Sequence, residues 1–463
     1  MLFNFILLLH LIPNIFPYII FPLNEFKNNI DLINTPKEII KEISNTKLYI
    51  TIEIGSDKSK IKAVLSEERP ELFISGKNIE YHKYDETLSK SYLCPNNSTK
   101  ELYYGFFKEV ALSKEDFYMQ DDNNKIQHVE QLNFLLGKKK NYEEKKYEGI
   151  IGLRYSYFNG LKGYNLIENL KEKRIINTYY WFLNFDNIEK EEGNMIIGTL
   201  PHLINNKLNE SNYREIPGTK SGTWGFDFNH ILYGDSIELK KSYPGYINFG
   251  LKSIFGPNQL MKILDKEFFN KYINEKICFK ENYGFNKNIF YYCKNQKEFN
   301  ISEFKEIKFK INLLEENFVF DYKDLFYYKN DLIYFLILFN EFDLNSFKIG
   351  YIFLKKYYLV FNQENKTIGY YADIRNINKT KIEDFIDNQN DNKNKINFSL
   401  TDILLILILL SIIFIGILVY RRRINRKMRA NELEEQFQYE AKEDDSNQKN
   451  MSYFKRIYIN FLK

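Results

Sequence analysis

Short apolar or alternating runs begin at Lys47 and recur as far as Ala372. Leu48-Tyr-Ile-Thr-Ile-Glu-Ile54 alternates with period two, Gly55 breaks the pattern, and Ile61-Lys-Ala-Val-Leu65 resumes it, which predicts two strands joined by a turn. Further runs over residues 102–107, 179–183, 195–198 and 351–354 predict strands as well. Helical spacing stands out twice, over residues 164–173 and 258–276. A mainly β body with a few short helices follows. Before it, residues 21–45 are polar, rich in Lys, Asn and Ile, and without a strand pattern, as expected of a linker or the remnant of a propeptide.

The two ends differ from this body. Residues 1–13 are an apolar run of signal-peptide length with no basic residue ahead of it, so residues 1–20 are expected to be a secretory signal. A membrane anchor or a buried strand is the alternative, because the apolar character continues to Pro22. Ile403 to Tyr420 is uncharged, apolar and long enough to cross a bilayer as a helix. Arg421, Arg422, Arg423, Arg426, Lys427 and Arg429 follow it, which places the tail in the cytosol and everything before Asp402 in a lumen or outside the cell. Sequons at Asn96, Asn97, Asn209, Asn300, Asn365, Asn378 and Asn397 agree with that side assignment and are candidate glycan sites.

Composition narrows the chemistry. With 463 residues, 44% hydrophobic and 27% charged, the chain is globular and large enough for two or three lobes. Its net charge of +4 is spread among acidic residues, so no nucleic-acid partner is expected. His10, His82, His128, His202 and His230 lack metal-ligand spacing, and no CxxC pair, phosphate loop or nucleophile elbow is present, so neither metal nor cofactor is expected. Cys278 and Cys293 flank a short polar, aromatic segment across which an oxidising compartment would let them pair, leaving Cys94 as a free thiol.

Two segments carry more information. Lys62-Ala-Val-Leu-Ser-Glu-Glu-Arg-Pro-Glu-Leu-Phe-Ile74 and Gly245-Tyr-Ile-Asn-Phe-Gly-Leu-Lys-Ser-Ile-Phe-Gly-Pro257 resemble the two active-site loops of the pepsin-like aspartic proteases, with Ser66 and Asn248 where that family has aspartate. Other segments resemble the family in the same order: Glu148–Leu153, Asn165–Ile176, Glu192–Gly198, Trp224 with Phe226 and Phe228, and the closing stretch Ile349–Ala372. The resemblance spans Leu48 to Ala372. It implies a bilobal acid-protease fold, and this part of the second lobe often carries a disulfide in that family.

In the mechanism that the resemblance implies, two carboxyl groups share one proton and activate a water between them. A hydroxyl at Ser66 and an amide at Asn248 cannot serve as the base. Glu67 and Glu68 are candidate substitutes, although the pattern Glu67-Glu-Arg-Pro70 reads more simply as a solvated charged turn altered in shape by the missing Gly and the added Pro. Tyr104 resembles the flap tyrosine, with a plain strand aromatic as the alternative. The expected organisation is a signal (1–20), a linker or propeptide remnant (21–45), an N-terminal lobe (46–190), a C-terminal lobe (191–373), a stalk (374–402), a span (403–420) and a cytoplasmic tail (421–463). The expected function is that of a type I membrane glycoprotein of the secretory or endolysosomal system or the cell surface. Its degenerate peptidase domain would bind or scaffold a peptide or protein in the interlobe cleft. The alternatives are an active membrane-anchored aspartic endopeptidase, and a β-rich membrane glycoprotein unrelated to proteases.

Overall fold

In the computed structural model, residues 18–25, 35–44 and most of 47–372 are described, with breaks at 81, 96–97, 102–106, 141–146, 156–160, 188–191, 220–221, 285–286, 312–316 and 343–344. The expected signal up to residue 17, the flap candidate Tyr104, the sequons at Asn96, Asn97, Asn378 and Asn397, and the stalk, span and tail lie outside the described residues.

Strands dominate, as the alternating pattern predicts. Among the described residues they form one sheet of 13 strands and one of 12. The 12-stranded sheet is continuous along the chain, from Gly225–Tyr233 to Phe347–Ile349. The other sheet takes strands from both sides of it, because Val360–Asn362 and Thr367–Tyr371 return to pair with Tyr180–Asn187 and Tyr213–Pro217. An aromatic seam fills the join: Trp181 and Trp224 are fully buried, and Trp181 stacks on Phe361 at 4.1 Å. Rings of this size bury more apolar area than any other side chains, so they dominate the energetics of that contact.

Two segments differ from the sequence expectation. Residues 21–45 are not without regular structure. Ile19–Glu25 is a strand between Glu192–Ile197 and Leu48–Ile54, burying Ile19, Phe21 and Leu23. Its alternation is masked because Ile20 and Pro22, on the opposite face, are apolar too. Pro36–Ser44 is a helix that opens on a capping box: Thr35 Oγ1 accepts the Glu38 N–H at 3.3 Å, and Glu38 Oε2 accepts the Thr35 N–H at 3.1 Å. With Pro36 at the first helical position, that start signal was legible in Thr35-Pro-Lys-Glu38.

The second difference is Tyr351–Tyr357, a helix rather than a strand. Four apolar residues in a row do not distinguish the two states. Lys355 and Lys356 supply the outer face, while Tyr351, Leu354 and Tyr357 recur every third residue on the buried one. The helices expected at 164–173 and 258–276 are present as Leu166–Glu172 and as a run from Asn258 to Asn274 that includes a π-helical turn at Asp265–Phe269. Cys278 and Cys293 stand directly opposite one another on neighbouring antiparallel strands and are disulfide-bonded, and Cys94 is free.

Candidate functional site

The two loops are built alike. Ser59–Ser66 enters the first and Leu72–Ser75 leaves it, and Gly149–Gly152 lies between these strands, with Ser66 opposite Gly152 and Leu72 opposite Ile151. Tyr243–Ile247 enters the second, Ile254–Gly256 leaves it, and Phe347–Ile349 lies between, with Ile349 opposite both Ile247 and Ile254. In each case the inserted strand is parallel to the entering one and antiparallel to the leaving one. The first ends on a glycine, Gly152, and the second is followed directly by one, Gly350, and both are crowded by the loop. A Cβ at Gly152 would stand 2.4 Å from the Glu71 carbonyl oxygen, and one at Gly350 would stand 2.1 Å from that of Ser253. A helix follows each glycine in the chain, Leu166–Glu172 after the first and Tyr351–Tyr357 after the second. Asn165 caps the first by accepting from the Ile167 and Glu168 amides, and its own amide donates to the Pro70 carbonyl at 2.7 Å, fixing the helix to the loop.

Ser66 and Asn248 play the same local part. Ser66 Oγ accepts the Glu68 N–H at 3.3 Å, and Asn248 Oδ1 accepts the Gly250 N–H at 2.8 Å. Each side chain thus closes a turn with the amide two residues on. The loops meet one residue later, where the Phe249 N–H donates to Glu67 Oε2 at 3.4 Å. The Phe249 ring turns away from this contact into the aromatic seam, fully buried 5.8 Å from Trp181.

The expectation of a solvated charged turn is corrected here. Glu68 is exposed, but Glu67 is half-buried and Arg69, Pro70 and Glu71 are buried. Arg69 grips Glu71 with two hydrogen bonds, Nε to Oε2 at 3.1 Å and Nη2 to Oε1 at 3.0 Å, and Glu71 Oε1 also accepts the Leu161 N–H at 2.6 Å. The carbonyl of Pro70 is taken by Asn165, so the proline is absorbed by the fold rather than left as a distortion.

A residue with no sequence signal completes the site. Lys47 precedes the strand Leu48–Ile54. Its Nζ donates to the Tyr147 hydroxyl and lies 4.6 Å from that ring's centroid, and its Cε lies 3.9 Å from where a Gly250 Cβ would be. Burial lowers the Lys47 pKa, against the opposing pull of Glu68 and Glu67. Glu67 is pushed up to about 7, chiefly by burial and further by Glu68, while its own backbone amide, the Phe249 amide and Lys47 pull it down. The helix Pro36–Ser44 packs on the second loop. Ile39, Ile40 and Ile43 share a cluster with Leu251 and Phe255, and the Ile43 carbonyl accepts the Lys252 N–H at 3.1 Å. Sequence reasoning overlooked this helix, whose capping box was the available signal.

The strands flanking Tyr104 pair as a hairpin, Thr99 opposite Ala111 and Glu101 opposite Glu109. Among the described residues no cluster of His, Cys, Asp and Glu is arranged to hold a metal. The exposed sequons Asn209, Asn300 and Asn365 lie on turns or short helical caps.

Comparison with known proteins agrees with the doubled loop architecture. Plasmepsin VII of Plasmodium berghei (strain Anka) is 22% identical over 421 residues, which cover 77% of this chain and 86% of that protein. Residues 47–372, the stretch holding both loops, both inserted strands and the closing hairpin, match the family described as Eukaryotic aspartyl protease. This chain therefore belongs to the eukaryotic aspartyl protease family.

Proposed function

We propose that this aspartyl protease domain is catalytically degenerate and binds or scaffolds a peptide or protein between its loops. One observation carries the proposal: at the two equivalent turns stand a hydroxyl and a carboxamide, each accepting a hydrogen bond within its own loop. Neither group titrates in the acid range, so no proton-sharing acid pair exists at these positions. Glu67, the half-buried carboxyl beside them, is engaged by the Phe249 amide and faces Lys47. A base held this way lacks the second acid that would polarise a peptide carbonyl.

The test is cleavage of a broad peptide library by the full chain between about pH 3 and 7, with and without pepstatin. No pepstatin-sensitive cleavage is expected. Robust cleavage abolished by pepstatin would overturn the proposal in favour of an active endopeptidase. That second reading draws on one feature, a carboxyl between the loops that titrates at about 7.

The proposal extends to the setting of the domain: a type I glycoprotein anchored by Ile403–Tyr420, with its tail in the cytosol and the domain in a lumen or outside the cell. The uncharged stretch and the basic cluster after it support this. Among the described residues no helix is long and apolar enough to cross a membrane, and the candidate span lies outside them. A tail epitope should be digested in sealed vesicles whose cytosolic face is outward, and its survival would contradict the orientation.

A further inference from the structure

We propose that Glu67 is a proton-operated latch between the two loops, holding them together more firmly as the surroundings become acidic. Three features of the geometry point to it. The Glu67 carboxyl reaches out of the first loop to the Phe249 N–H of the second, so its charge state acts directly on a contact between two separately built halves. The carboxyl is half-buried, with Phe249 on the far side packed into the aromatic seam and unable to follow it into solvent. Among the described residues the ionic groups that act on it are Glu68 from its own loop and Lys47 from just before the strand Leu48–Ile54, with the Phe249 amide as the second loop's contribution. Nearby Arg69 and Glu71 are turned to each other.

The sign follows from proton linkage. In the closed contact Glu67 titrates near 7, mainly because burial disfavours its charged form, whereas a carboxyl released to solvent returns to its ordinary value of 4.5. The closed form therefore binds the proton more tightly than the open one. Between those two values acid favours closing and rising pH favours opening. A neutral carboxyl still accepts the Phe249 N–H through its carbonyl oxygen, so the hydrogen bond survives protonation while the cost of the buried charge disappears. The full difference corresponds to roughly 300-fold in the closing equilibrium, and partial solvation of a half-buried group reduces the expected response to on the order of tenfold. Lys47 opposes the effect, because its positive charge favours the carboxylate.

The inference deepens the proposed function by treating Glu67 as a holding group of the same site. Its readout is amide exchange rather than cleavage, so the two can fail separately. Hydrogen exchange of the full chain is followed by mass spectrometry over peptides covering residues 246–252, at pH values from about 5 to 8, after correction for intrinsic exchange. Protection is expected to be on the order of tenfold greater at the acid end. Glu67→Gln should be strongly protected and independent of pH, Glu68→Gln should keep the wild-type response, and Lys47→Met should move the midpoint to higher pH. If Glu67→Gln does not fold, Lys47→Met supplies the test on its own. Flat protection in the wild type, a slope retained in Glu67→Gln, or a midpoint unmoved in Lys47→Met would overturn the latch.

Discussion

Removing Arg69 should destabilise the domain far more than its place in a charged stretch suggests. Its side chain is 9% exposed and that of Glu71 is fully buried, and the two share hydrogen bonds of 3.0 and 3.1 Å. At that separation and an effective dielectric of 20, the gross attraction is about 5 kcal/mol, most of it offset by the cost of burying both charges. Taking away one partner leaves that cost in place. Arg69→Met should therefore lower stability by about 3–5 kcal/mol, with Glu71 stranded against the Leu161 amide as its remaining donor on the neighbouring segment. Arg69→Met with Glu71→Gln keeps an acceptor for Leu161 and removes the stranded charge, so the double variant should be more stable than the single one. Urea unfolding of the full chain in detergent is readily followed by fluorescence, because its two tryptophans, Trp181 and Trp224, are both fully buried. The cost should be similar at low and high salt, since buried pairs are screened weakly. A loss below about 1 kcal/mol for Arg69→Met, or a double variant less stable than it, would show that the pair behaves as a surface ion pair and would refute the reasoning.

Gly350→Ala should cost several kcal/mol or prevent folding, because the added methyl would lie 2.1 Å from a backbone carbonyl that has no side-chain freedom to move; a normal unfolding midpoint would contradict this. Cys278→Ser with Cys293→Ser opens a loop of 15 residues and should lower stability by about 3 kcal/mol, read from the same urea curves. Ser66→Asp with Asn248→Asp should leave the peptide library uncut, because the restored acids would share the site with Glu67 and Lys47 rather than with each other alone; pepstatin-sensitive cleavage by this variant would show that the two substitutions are the whole of the loss.

Much of the architecture is legible along the chain, because period-two alternation and the order of the loop segments both survive in an Asn- and Lys-rich background. Less of the site can be read. Glu67-Glu-Arg-Pro70 looks solvated as a string of letters, yet Arg69 finds Glu71 only two residues on and Pro70 finds Asn165 from a distant helix. The second pairing depends on tertiary contact, as does the burial of the first, and neither leaves a local period. Lys47 is invisible for the same reason, since its partner Tyr147 is a hundred residues away. The strand Ile19–Glu25 is hidden by apolar residues on both faces, whereas the helix Pro36–Ser44 announced itself through Thr35 and Glu38. Tyr351-Ile-Phe-Leu354 shows the limit of short apolar runs, which bury equally well in either backbone state.

The identities of Ser66 and Asn248 show which requirement on these positions is structural and which is chemical. The turn needs a short side chain with an oxygen that accepts the amide two residues on, and Ser and Asn are both well suited to that. Catalysis needs that oxygen to belong to an acid, and to have an equivalent acid facing it. The first requirement is met at both positions and the second at neither, which is the ground for the proposed loss of catalysis. Around the turns the two halves have also stopped matching. One loop sends a carboxyl across to its neighbour, while the other sends a phenyl ring into the core against Trp181 and Phe361. A mechanism that depends on two equivalent acids exchanging one proton has no use for that asymmetry. The latch proposed for Glu67, which responds to protons through a single group, is compatible with it.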